Sequence, residues 1–463
     1  MFGGLRSRVR FTLEALAAED ELSLAFIVGQ HVEKISALRA HRPYRGALLR
    51  LAVFFFHLFS NVRLVRSSKV VADYLFYSDT QNQYSSLKGT YCALPSERTL
   101  SLLSPALHKV LRERDKADVT LRFSAGDVAV ALIVFLIRFP GLYRRLRHGH
   151  EAALNNFLNF FCMPYVYIPA FRRLLEGGRC FCVLQSNDHN VTNRSLRLVA
   201  ERLGLKNAYM QHASVSTLFP ALQYDYAFLD GGASLETYEQ CAAEQKSGST
   251  SAAIYLTGQK KRLDVSDETK SYIAVAVNAL DESGQVIQFL ERLKPLAVPV
   301  SIRTHPAQSA EFVSALKRYA TDNAWVSMHA AKERSLADFF AGAHFLVAAN
   351  SSIHLEAVIC GLVSFYREFS KVVEHVDYYG YLRRGLVVPF PDGEDLSLSV
   401  LIQHKPPVEA VRYYSATYGT AWQGREGTLV AECLQQLRSG AESQDLFLTA
   451  ERSSIGTVYS PRP

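Results

Sequence analysis

The most constraining feature of this sequence is a regular alternation, in its second half, of short apolar runs with helical segments of about ten residues. Strands that alternate with helices of this length form βαβ crossovers, so this half predicts a parallel, doubly wound sheet. The apolar runs predict strands at Tyr272–Asn278, Val298–Arg303, Ala324–Met328, His344–Ala349 and Val363–Tyr366. Helical segments fit between them at about 284–294, 308–320, 335–342 and 352–360.

An earlier stretch of the chain repeats this strand–helix–strand pattern. Cys180–Gln185 predicts a strand, and the helix that follows ends at Gly204, whose missing Cβ suits a left-handed C-cap. Asn207–Met210 predicts the next strand. The chain therefore predicts an α/β fold of two doubly wound, Rossmann-like domains that face a cleft, preceded by a helical N-terminal extension.

Changes of composition along the chain predict where these domains begin and end. Residues 232–268 are expected to contain the hinge, because Lys246–Ser251 and the polar stretch after Gly258 carry few core residues. The expected divisions are a helical extension over 1–68, a first α/β domain over 69–255, a second over 256–438 and a flexible tail over 439–463. Within the first domain we expect a strand at Ala72–Tyr77 and helical stretches at about 99–115, 127–147 and 151–176.

The overall composition excludes several classes of protein. Hydrophobic residues make up 48% of the chain and charged residues 21%, which excludes disorder as the dominant state. The seven cysteines show no paired CxxC or His/Cys spacing, which argues against a disulfide scaffold or a structural zinc site and fits a reducing cytoplasm. No Asp-x-Asp follows a predicted strand to bridge a diphosphate through a metal ion, so metal-independent chemistry is expected.

The positive charge is concentrated near the N-terminus. The net charge is +7, and residues 1–70 contain 11 Lys and Arg against 5 Asp and Glu. Arginines flank the apolar runs Leu51–Phe59 and Val128–Ile137, which suits either contact with an anionic membrane surface or two buried helices with a solvated basic end. No uninterrupted apolar run reaches the roughly 18 residues needed to span a bilayer. No nucleic-acid-binding module is present.

Polar residues directly after the predicted strands are the candidate site residues, because open parallel sheets bind ligands beyond the carboxyl ends of their strands. Two serines at a helix start supply hydroxyls and free amides for a phosphate, although one of them could be a plain N-cap. A histidine followed by proline is suited to donate a hydrogen bond to a phosphate leaving group. In the second domain the candidates are Asn278, Thr304, His305, Asn350, Ser351, Ser352 and Glu356.

The first domain has a corresponding set of polar residues after its strands. His212 or Asp230 could act as general base towards an acceptor hydroxyl, and the alternatives are a core histidine and a turn aspartate. Asn187, Asp188 and Gln211 could bind acceptor hydroxyls, or Asn187 and Asp188 could simply form an Asx-turn.

The order of these motifs resembles bacterial capsule and wall polysaccharide transferases of the GT-B type. The matching elements are Gln211-His212, His305-Pro306, Ser351-Ser352, Glu356-Ala357, Gly361 to Tyr366, Asp377-Tyr-Tyr-Gly380 and Gly385-Leu-Val387. The group includes CDP-glycerol glycerophosphotransferases, sialyl- and polysialyltransferases and capsule Kdo transferases, and the resemblance covers about residues 180–390. It implies that His305 and the two serines bind the nucleotide phosphate, and that His212 or Asp230 serves the acceptor or the reacting carbon.

Two departures from the glycerophosphotransferase pattern favour a sugar transferase. Ala213 follows Gln211-His212 where those enzymes usually have glycine, and Asn350 precedes the serines where Thr-Asp is common. Of the acidic-acidic-Gly element of the sialyl- and Kdo-transferases, only Asp230-Gly231 is kept.

The expected function is therefore a metal-independent, cofactor-free glycosyltransferase that moves a sugar from a nucleotide donor, a cytidine nucleotide being favoured, to a surface glycan or glycolipid. It is expected in the cytoplasm, either free or peripherally on the inner face of the cytoplasmic membrane. The alternatives are a CDP-alditol glycerol- or ribitol-phosphate transferase and a non-catalytic scaffold for capsule assembly.

Overall fold

The computed structural model describes the chain except for residue 1 and residues 33–45, 63–68, 112–117, 246–251, 261–262, 267, 371–376, 393–395, 442–444 and 449. The chain divides into two compact units: unit 1 is Met1–Lys261 together with Thr420–Pro463, and unit 2 is Arg262–Gly419. The predicted hinge run Lys246–Ser251 lies outside the described residues, as do Arg45, Arg63 and Arg66 beside the first apolar run.

Unit 1 is built on a sheet in which nine strands are described, in the spatial order β14-β15-β7-β6-β5-β4-β1-β2-β3. All neighbours pair in parallel except β14 and β15, which form an antiparallel hairpin. The central strands are buried on both faces, as continuous apolar runs require in a parallel sheet. The strands are β1 Tyr74–Ser78, β2 Thr99–Leu103, β3 Asp118–Thr120, β4 Cys182–Gln185, β5 Lys206–Met210, β6 Tyr226–Leu229, β7 Ala252–Leu256, β14 Glu451–Ser453 and β15 Gly456–Tyr459.

Helices cover both faces of this sheet, and several begin at a side-chain cap. Ser124 and Asp127 form a reciprocal capping box at the start of the long helix α7, and Asn190 caps α10. The helices of unit 1 are α1 Phe2–Ala18, α2 Glu21–Leu24, α3 Phe26–Gln30, α4 Ala47–Ser60, α5 Gln81–Ala93, α6 Pro105–Val110, α7 Ala125–Arg147, α8 Glu151–Cys162, α9 Pro164–Leu175, α10 Val191–Arg202, α11 Gly232–Glu244 and α18 Glu426–Ser439.

Two segments differ in the structure from what the sequence predicts for them. The stretch 99–115 begins with strand β2 rather than with a helix, because Ser104 and Pro105 start helix α6 only after Leu103. Residues 439–463, expected to be a flexible tail, contribute the β14–β15 hairpin, whose strand β15 pairs with β7 and stacks Tyr459 on Tyr255 with ring centroids 4.8 Å apart. The division of the chain consequently differs from the expected boundaries, since Thr420–Pro463 belong to unit 1.

The N-terminal helices are joined to the rest of unit 1 by buried ion pairs. Glu21 in α2 accepts hydrogen bonds from Arg138 in α7 and from the hydroxyl of Tyr165 in α9. Glu19 pairs with Arg194 and Arg197 of α10. The expected helical extension is therefore present, but it packs as part of unit 1.

Helix α7 is long and apolar enough, by length and composition alone, to cross a membrane. The expectation drawn from uninterrupted apolar runs missed it, because Asp127 and Arg138 interrupt its sequence. Both charges are paired within unit 1, Asp127 with Arg8 and Arg173 and Arg138 with Glu21. Buried core helices satisfy the same test of length and hydropathy, and one third of the apolar stretch is buried here.

Unit 2 is built on a second parallel sheet, with the described strands in the order β10-β9-β8-β11-β12-β13. Its core is formed by the apolar faces of these strands and of α12 and α13. The strands are β8 Tyr272–Ala276, β9 Val300–Thr304, β10 Val326–Ala330, β11 Ala343–Ala348, β12 Val363–Tyr366 and β13 Val388–Pro389. The helices are α12 Ser283–Leu293, α13 Ala310–Asp322, α14 Leu336–Ala341, α15 Ile353–Ile359, α16 Leu398–Leu401 and α17 Val408–Tyr414.

The five predicted strands and four predicted helices of unit 2 agree with the structure to within a few residues, whereas β13, α16 and α17 were not predicted. Unit 1 has the same parallel, doubly wound organisation around β1 and β4 to β7. The predicted α/β class, with two Rossmann-like domains, is therefore confirmed.

Candidate functional site

Each sheet contains one point at which the direction of strand addition reverses. In unit 1 the chain proceeds from β1 outwards to β3 and then returns to place β4 on the other side of β1. In unit 2 it proceeds from β8 to β10 and returns to place β11 beside β8. The loops that leave the two central strands at such a point diverge and open a crevice, which is where open α/β sheets bind their ligands.

In unit 2 the reversal point brings together the loops after β8, β9 and β11. The Asn278 side-chain amide donates to the Asn350 carbonyl oxygen at 3.3 Å, and the Gln308 amide donates to the carbonyl oxygen of Asn278. Asn278 and Asn350, both predicted from sequence, therefore lie at one site. Gln308, which follows His305-Pro306 by two residues, was not among the predicted residues.

Asp281 is a buried carboxyl in the same loop, at the end of the polar run Asn278 to Asp281 that follows the predicted strand. Its Oδ2 accepts the backbone amide of Asn278 at 2.7 Å, whereas its Oδ1 is buried without a hydrogen-bond partner. Burial raises the pKa of Asp281 to about 7, and the nearby carboxylate of Glu368 adds to the increase. Burial therefore favours the protonated form of this carboxyl.

His305 is exposed directly after β9, and Thr304, the last residue of that strand, is buried. The ring Nδ1 of His305 accepts the backbone amide of Ala307 at 3.1 Å. Because Nδ1 accepts, the neutral ring carries its proton on Nε2, which is then the donor available to a ligand. This geometry suits the predicted role of a hydrogen-bond donor to phosphate.

Ser351 and Ser352 lie between β11 and the short helix α15. The Ser351 hydroxyl accepts the backbone amide of Ile353 at 3.4 Å, and Ser352 makes no side-chain capping bond. Glu356 lies in the first turn of α15 and interacts electrostatically with Arg303. The serine turn therefore lies beyond the carboxyl end of β11, as Asn350 does. Glu356 has the guanidinium group of Arg303 nearby.

His354 supports this turn from inside the fold. Its Nε2 lies 2.9 Å from the Ala349 carbonyl oxygen and its Nδ1 lies 2.7 Å from the Ser364 hydroxyl. Burial lowers the pKa of His354 to about 4, so the ring is neutral and donates to Ala349. This residue positions the strand end that carries Asn350, and sequence reasoning did not select it.

In unit 1 the loop after β4 forms a connected polar network. Asp188 is buried and accepts from the Tyr238 hydroxyl at 2.6 Å, and its other oxygen lies 2.9 Å from Nδ1 of His189. The Asn187 side chain accepts the backbone amides of His189 and Asn190, which is the Asx-turn considered in the sequence analysis. Both carboxylate oxygens of Asp188 are therefore occupied by protein groups.

Gln211 and Asp230 are also engaged within the fold. The Gln211 side chain accepts the amide of Asp230 at 2.8 Å and donates to the Ala213 carbonyl oxygen at 3.0 Å. Asp230 pairs at 2.8 Å with the ammonium group of Lys260, which also donates to the Phe228 carbonyl oxygen. Burial raises the pKa of Asp230, and the charge of Lys260 partly opposes that increase.

His212 differs from these residues, because its Nδ1 is buried without a hydrogen-bond partner. Burial lowers the pKa of His212, and the neighbouring His189 lowers it further. The ring is therefore neutral at pH 7, which is the protonation state of a general base.

Asp79 is the main residue of unit 1 that sequence reasoning missed. It follows β1, on the other side of the reversal point from the β4 loop, and accepts from the Tyr77 hydroxyl at 2.8 Å and the Asn190 amide at 3.3 Å. Burial raises the pKa of Asp79. The polar run Ser78–Gln83 after a predicted strand was the available signal, but only the sheet order shows that it adjoins Asn190.

Across the described ranges, no group of three or more His, Cys, Asp and Glu side chains is arranged to hold a metal ion. The residues beyond the carboxyl ends of the strands define the class of protein. It has two parallel α/β domains, and each domain carries polar side chains and a histidine beyond its strand ends.

No protein-family model matches the chain, and no curated protein matches it. Solved structures of low sequence identity do match most of its length. The UDP-GlcNAc 2-epimerase from Neisseria meningitidis bound to UDP-GlcNAc has 11% identity and a TM-score of 0.49, with 78% of this chain and 99% of that one covered. The wall teichoic acid polymerase TagF has 10% identity and a TM-score of 0.45, with 90% and 98% covered. MurG from Acinetobacter baumannii has 10% identity and a TM-score of 0.42, with 79% and 99% covered.

Proposed function

We propose that this chain is a glycosyltransferase that takes a sugar from a nucleotide-activated donor, with a cytidine nucleotide favoured, and passes it to a surface glycan or glycolipid. The proposal rests on one observation above the others. In unit 2, Asn278, Asn350 and the loop of His305 meet at the sheet's reversal point, where phosphate-bearing ligands bind in α/β folds. The similarity to known transferase sequences in the Gln-His, His-Pro and Ser-Ser motifs suggests the chemistry.

On the donor side, unit 2 would hold the nucleotide. The hydroxyls of Ser351 and Ser352 and the Nε2 proton of His305 would donate to the phosphate oxygens as negative charge develops on the leaving group. Thr304, Asn350, Asn278 and Glu356 would complete the nucleotide site. Protein hydrogen bonds would neutralise the leaving group, so the proposed reaction requires no metal ion or other cofactor.

On the acceptor side, His212 fits the general base better than Asp230 does. The ring of His212 is neutral at pH 7, whereas Asp230 is held in a buried ion pair with Lys260. Asn187, Asp188 and Gln211 have their side chains largely engaged by the protein, so we propose that they position the base and the loop around it.

We further propose that unit 1 binds peripherally to the inner face of the cytoplasmic membrane. Helices α4 and α7 contact each other through Phe54, Phe55 and Phe135. Their outward residues are exposed and apolar, and α7 ends in Arg144, Arg145 and Arg147. An apolar face beside arginines suits the headgroup layer of an anionic bilayer. The exposed apolar residues are Leu48, Leu49, Val53, Phe56, Phe59, Leu136 and Ile137.

The donor proposal can be tested by titrating the protein with CMP, CDP, UDP, GDP and ADP in a calorimeter. We expect a cytidine nucleotide to bind best and His305→Ala to weaken it by about 1–3 kcal/mol, the cost of losing a hydrogen bond to a charged group. His329→Ala, which changes another histidine of unit 2 at the end of β10, is the matched control. Equal affinity for all five nucleotides would contradict the donor assignment.

Product analysis distinguishes the alternatives. Transfer from CDP-glycerol or CDP-ribitol, and not from a CMP-sugar, would identify an alditol-phosphate transferase. Nucleotide release unaffected by His305→Ala and Ser352→Ala would favour the non-catalytic scaffold.

The membrane proposal can be tested by flotation with vesicles containing phosphatidylglycerol. Replacing Phe56 and Leu136 by serine removes apolar area from the exposed face, and we expect the protein to stay at the bottom of the gradient. Replacing the exposed Val400 of unit 2 by serine is the control. Equal flotation of all three proteins would refute the proposal.

A further inference from the structure

A small cavity in unit 1 adjoins the reversal point of its sheet. It has a volume of about 270 Å³ and is bounded by α4, the α8–α9 junction, the start of α10 and the loop after β1. Its polar lining comes from Asp79, Asn159, Asn190, Thr192 and His57, and its apolar lining includes Phe160, Met163 and Tyr167. Asp79 and Asn190 were described above beside the loop that follows β4, and the other lining residues are not part of that site.

The polar groups of this cavity are not fully used by the protein. Asp79 accepts hydrogen bonds from the Tyr77 hydroxyl and the Asn190 amide, the hydroxyls of Thr192 and Ser104 also interact with its carboxyl group, and no salt bridge to it is formed among the described residues. These partners are all neutral hydroxyl and amide groups, of the same kind as the hydroxyl groups of a ligand. The Oδ1 of Asn159 is buried without a partner. A ligand that donates hydrogen bonds from hydroxyl groups would satisfy Oδ1 of Asn159 and could exchange with the hydroxyl donors around Asp79.

The shape and walls of the cavity restrict the ligand further. A volume near 270 Å³ accommodates one sugar-sized ring, and the aromatic face of Tyr167 is suited to the C–H face of such a ring.

We propose that this cavity binds the hydroxyl-bearing ring of the acceptor, with Asp79 as the residue that accepts a hydrogen bond from it. This inference rests on the proposed function only in identifying the ligand as the acceptor. The cavity's position beside the β1–β4 reversal point places it next to the loop of Asn187–Asn190, whose His189 influences His212. Asp79 then contributes to the choice of acceptor glycan, while nucleotide binding is left to unit 2.

The experiment compares two variants that alter the cavity in different ways. Asp79→Asn keeps the shape and removes the carboxylate. Val53→Trp fills the cavity from α4, at a partly exposed position where a larger side chain does not threaten folding. The control is Asp225→Asn, which removes a carboxylate directly before β6, at the amino ends of the strands of the same sheet.

The first measurement is binding of methyl glucoside, methyl galactoside and methyl N-acetylglucosaminide by ligand-observed NMR. We expect saturable binding of at least one of them by the wild type and the control, and at least a tenfold weaker binding by both cavity variants. Binding equal in all four proteins, or absent from the wild type, would overturn the inference. Melting temperatures of the variants establish that each is folded.

The second measurement separates this inference from the proposed function. Titration with the five nucleotides should give wild-type affinities for Asp79→Asn, because the nucleotide binds to unit 2. A wild type that binds a glycoside in the cavity but no nucleotide would refute the donor proposal and keep the cavity assignment. If the wild type binds a cytidine nucleotide but neither variant changes glycoside binding, the cavity assignment is refuted and the donor proposal is kept.

Discussion

Replacing Glu21 by glutamine tests whether the N-terminal helices are an integral part of unit 1. The Glu21 side chain is 1% exposed, and its two oxygens accept from Nε and Nη2 of Arg138, each at 2.9 Å. The Tyr165 hydroxyl donates to it at 3.1 Å. Glutamine keeps the shape but removes the charge, so the guanidinium loses its bidentate partner.

The expected size of the effect follows from the burial of the two partners. Breaking a fully buried ion pair costs about 3–5 kcal/mol. Arg138 is 30% exposed and recovers part of its hydration, so we expect about 2–3 kcal/mol here. Unit 1 contains about 300 residues. With an unfolding entropy of roughly 2 cal/mol/K per residue, the melting temperature of unit 1 should fall by about 4 °C.

Differential scanning calorimetry measures this shift, and helix α1 offers a matched control. Glu14 forms an exposed i,i+4 pair with Arg10, so Glu14→Gln removes a comparable charge without breaking a buried contact. We expect the control to melt with the wild type. If Glu21→Gln shifts the transition no more than Glu14→Gln does, the ion pair does not hold these helices in place and the reasoning fails.

Three further predictions concern other buried groups. Because the folded-state pKa of Asp281, about 7, lies above its unfolded value of 3.8, unit 2 should lose stability as the pH rises between about 4 and 7. Asp281→Asn should remove that loss, which thermal melts at pH 5 and pH 8 would detect; equal melts of variant and wild type at pH 8 would contradict it. Lys260→Met should leave Asp230 buried without its cation, which should destabilise unit 1 by roughly 3 kcal/mol at pH 8 and raise the pKa of Asp230. Adding Asp230→Asn should recover most of the lost stability. If the single variant is as stable as the double variant, the ion pair does not stabilise unit 1. Deleting residues 445–463 should lower the melting temperature of unit 1, because Tyr255 loses its stacking with Tyr459 and its tilted ring contact with Phe447. An unchanged melting temperature would show that the hairpin is dispensable.

The sheet of unit 2 was predictable because its strands are continuous apolar runs separated by helices of one length. β12 begins and ends at the predicted residues, and the others differ by a few positions. The β14–β15 hairpin was not predictable, because an edge hairpin is polar in sequence. Its segment Glu451–Ser453 is largely exposed, and only its pairing with β7 through β15 defines it as part of a sheet.

The candidate site was predictable to the extent that strand ends determine it. Asn278, His305 and Asn350 follow predicted strands, and the structure places two of them in hydrogen-bond contact. The partners of the buried carboxylates could not be predicted. Lys260 lies 30 residues after Asp230, and Tyr238 lies 50 residues after Asp188, so these pairs depend on how the strands and helices pack. Asp79 adjoins Asn190 only because β4 returns to the side of β1.

The discontinuity of unit 1 has a consequence for biosynthesis. The ribosome completes residues up to Lys261, and then the whole of unit 2, before it makes the hairpin that pairs with β7. During that interval the backbone amides and carbonyls on the outer side of β7 lack their strand partner, and an open strand edge is a site for unwanted pairing with other chains. The nascent protein is therefore expected to be most prone to aggregation after unit 2 has been translated and before residues 456–459 emerge. A chaperone that shields this edge would act in that interval.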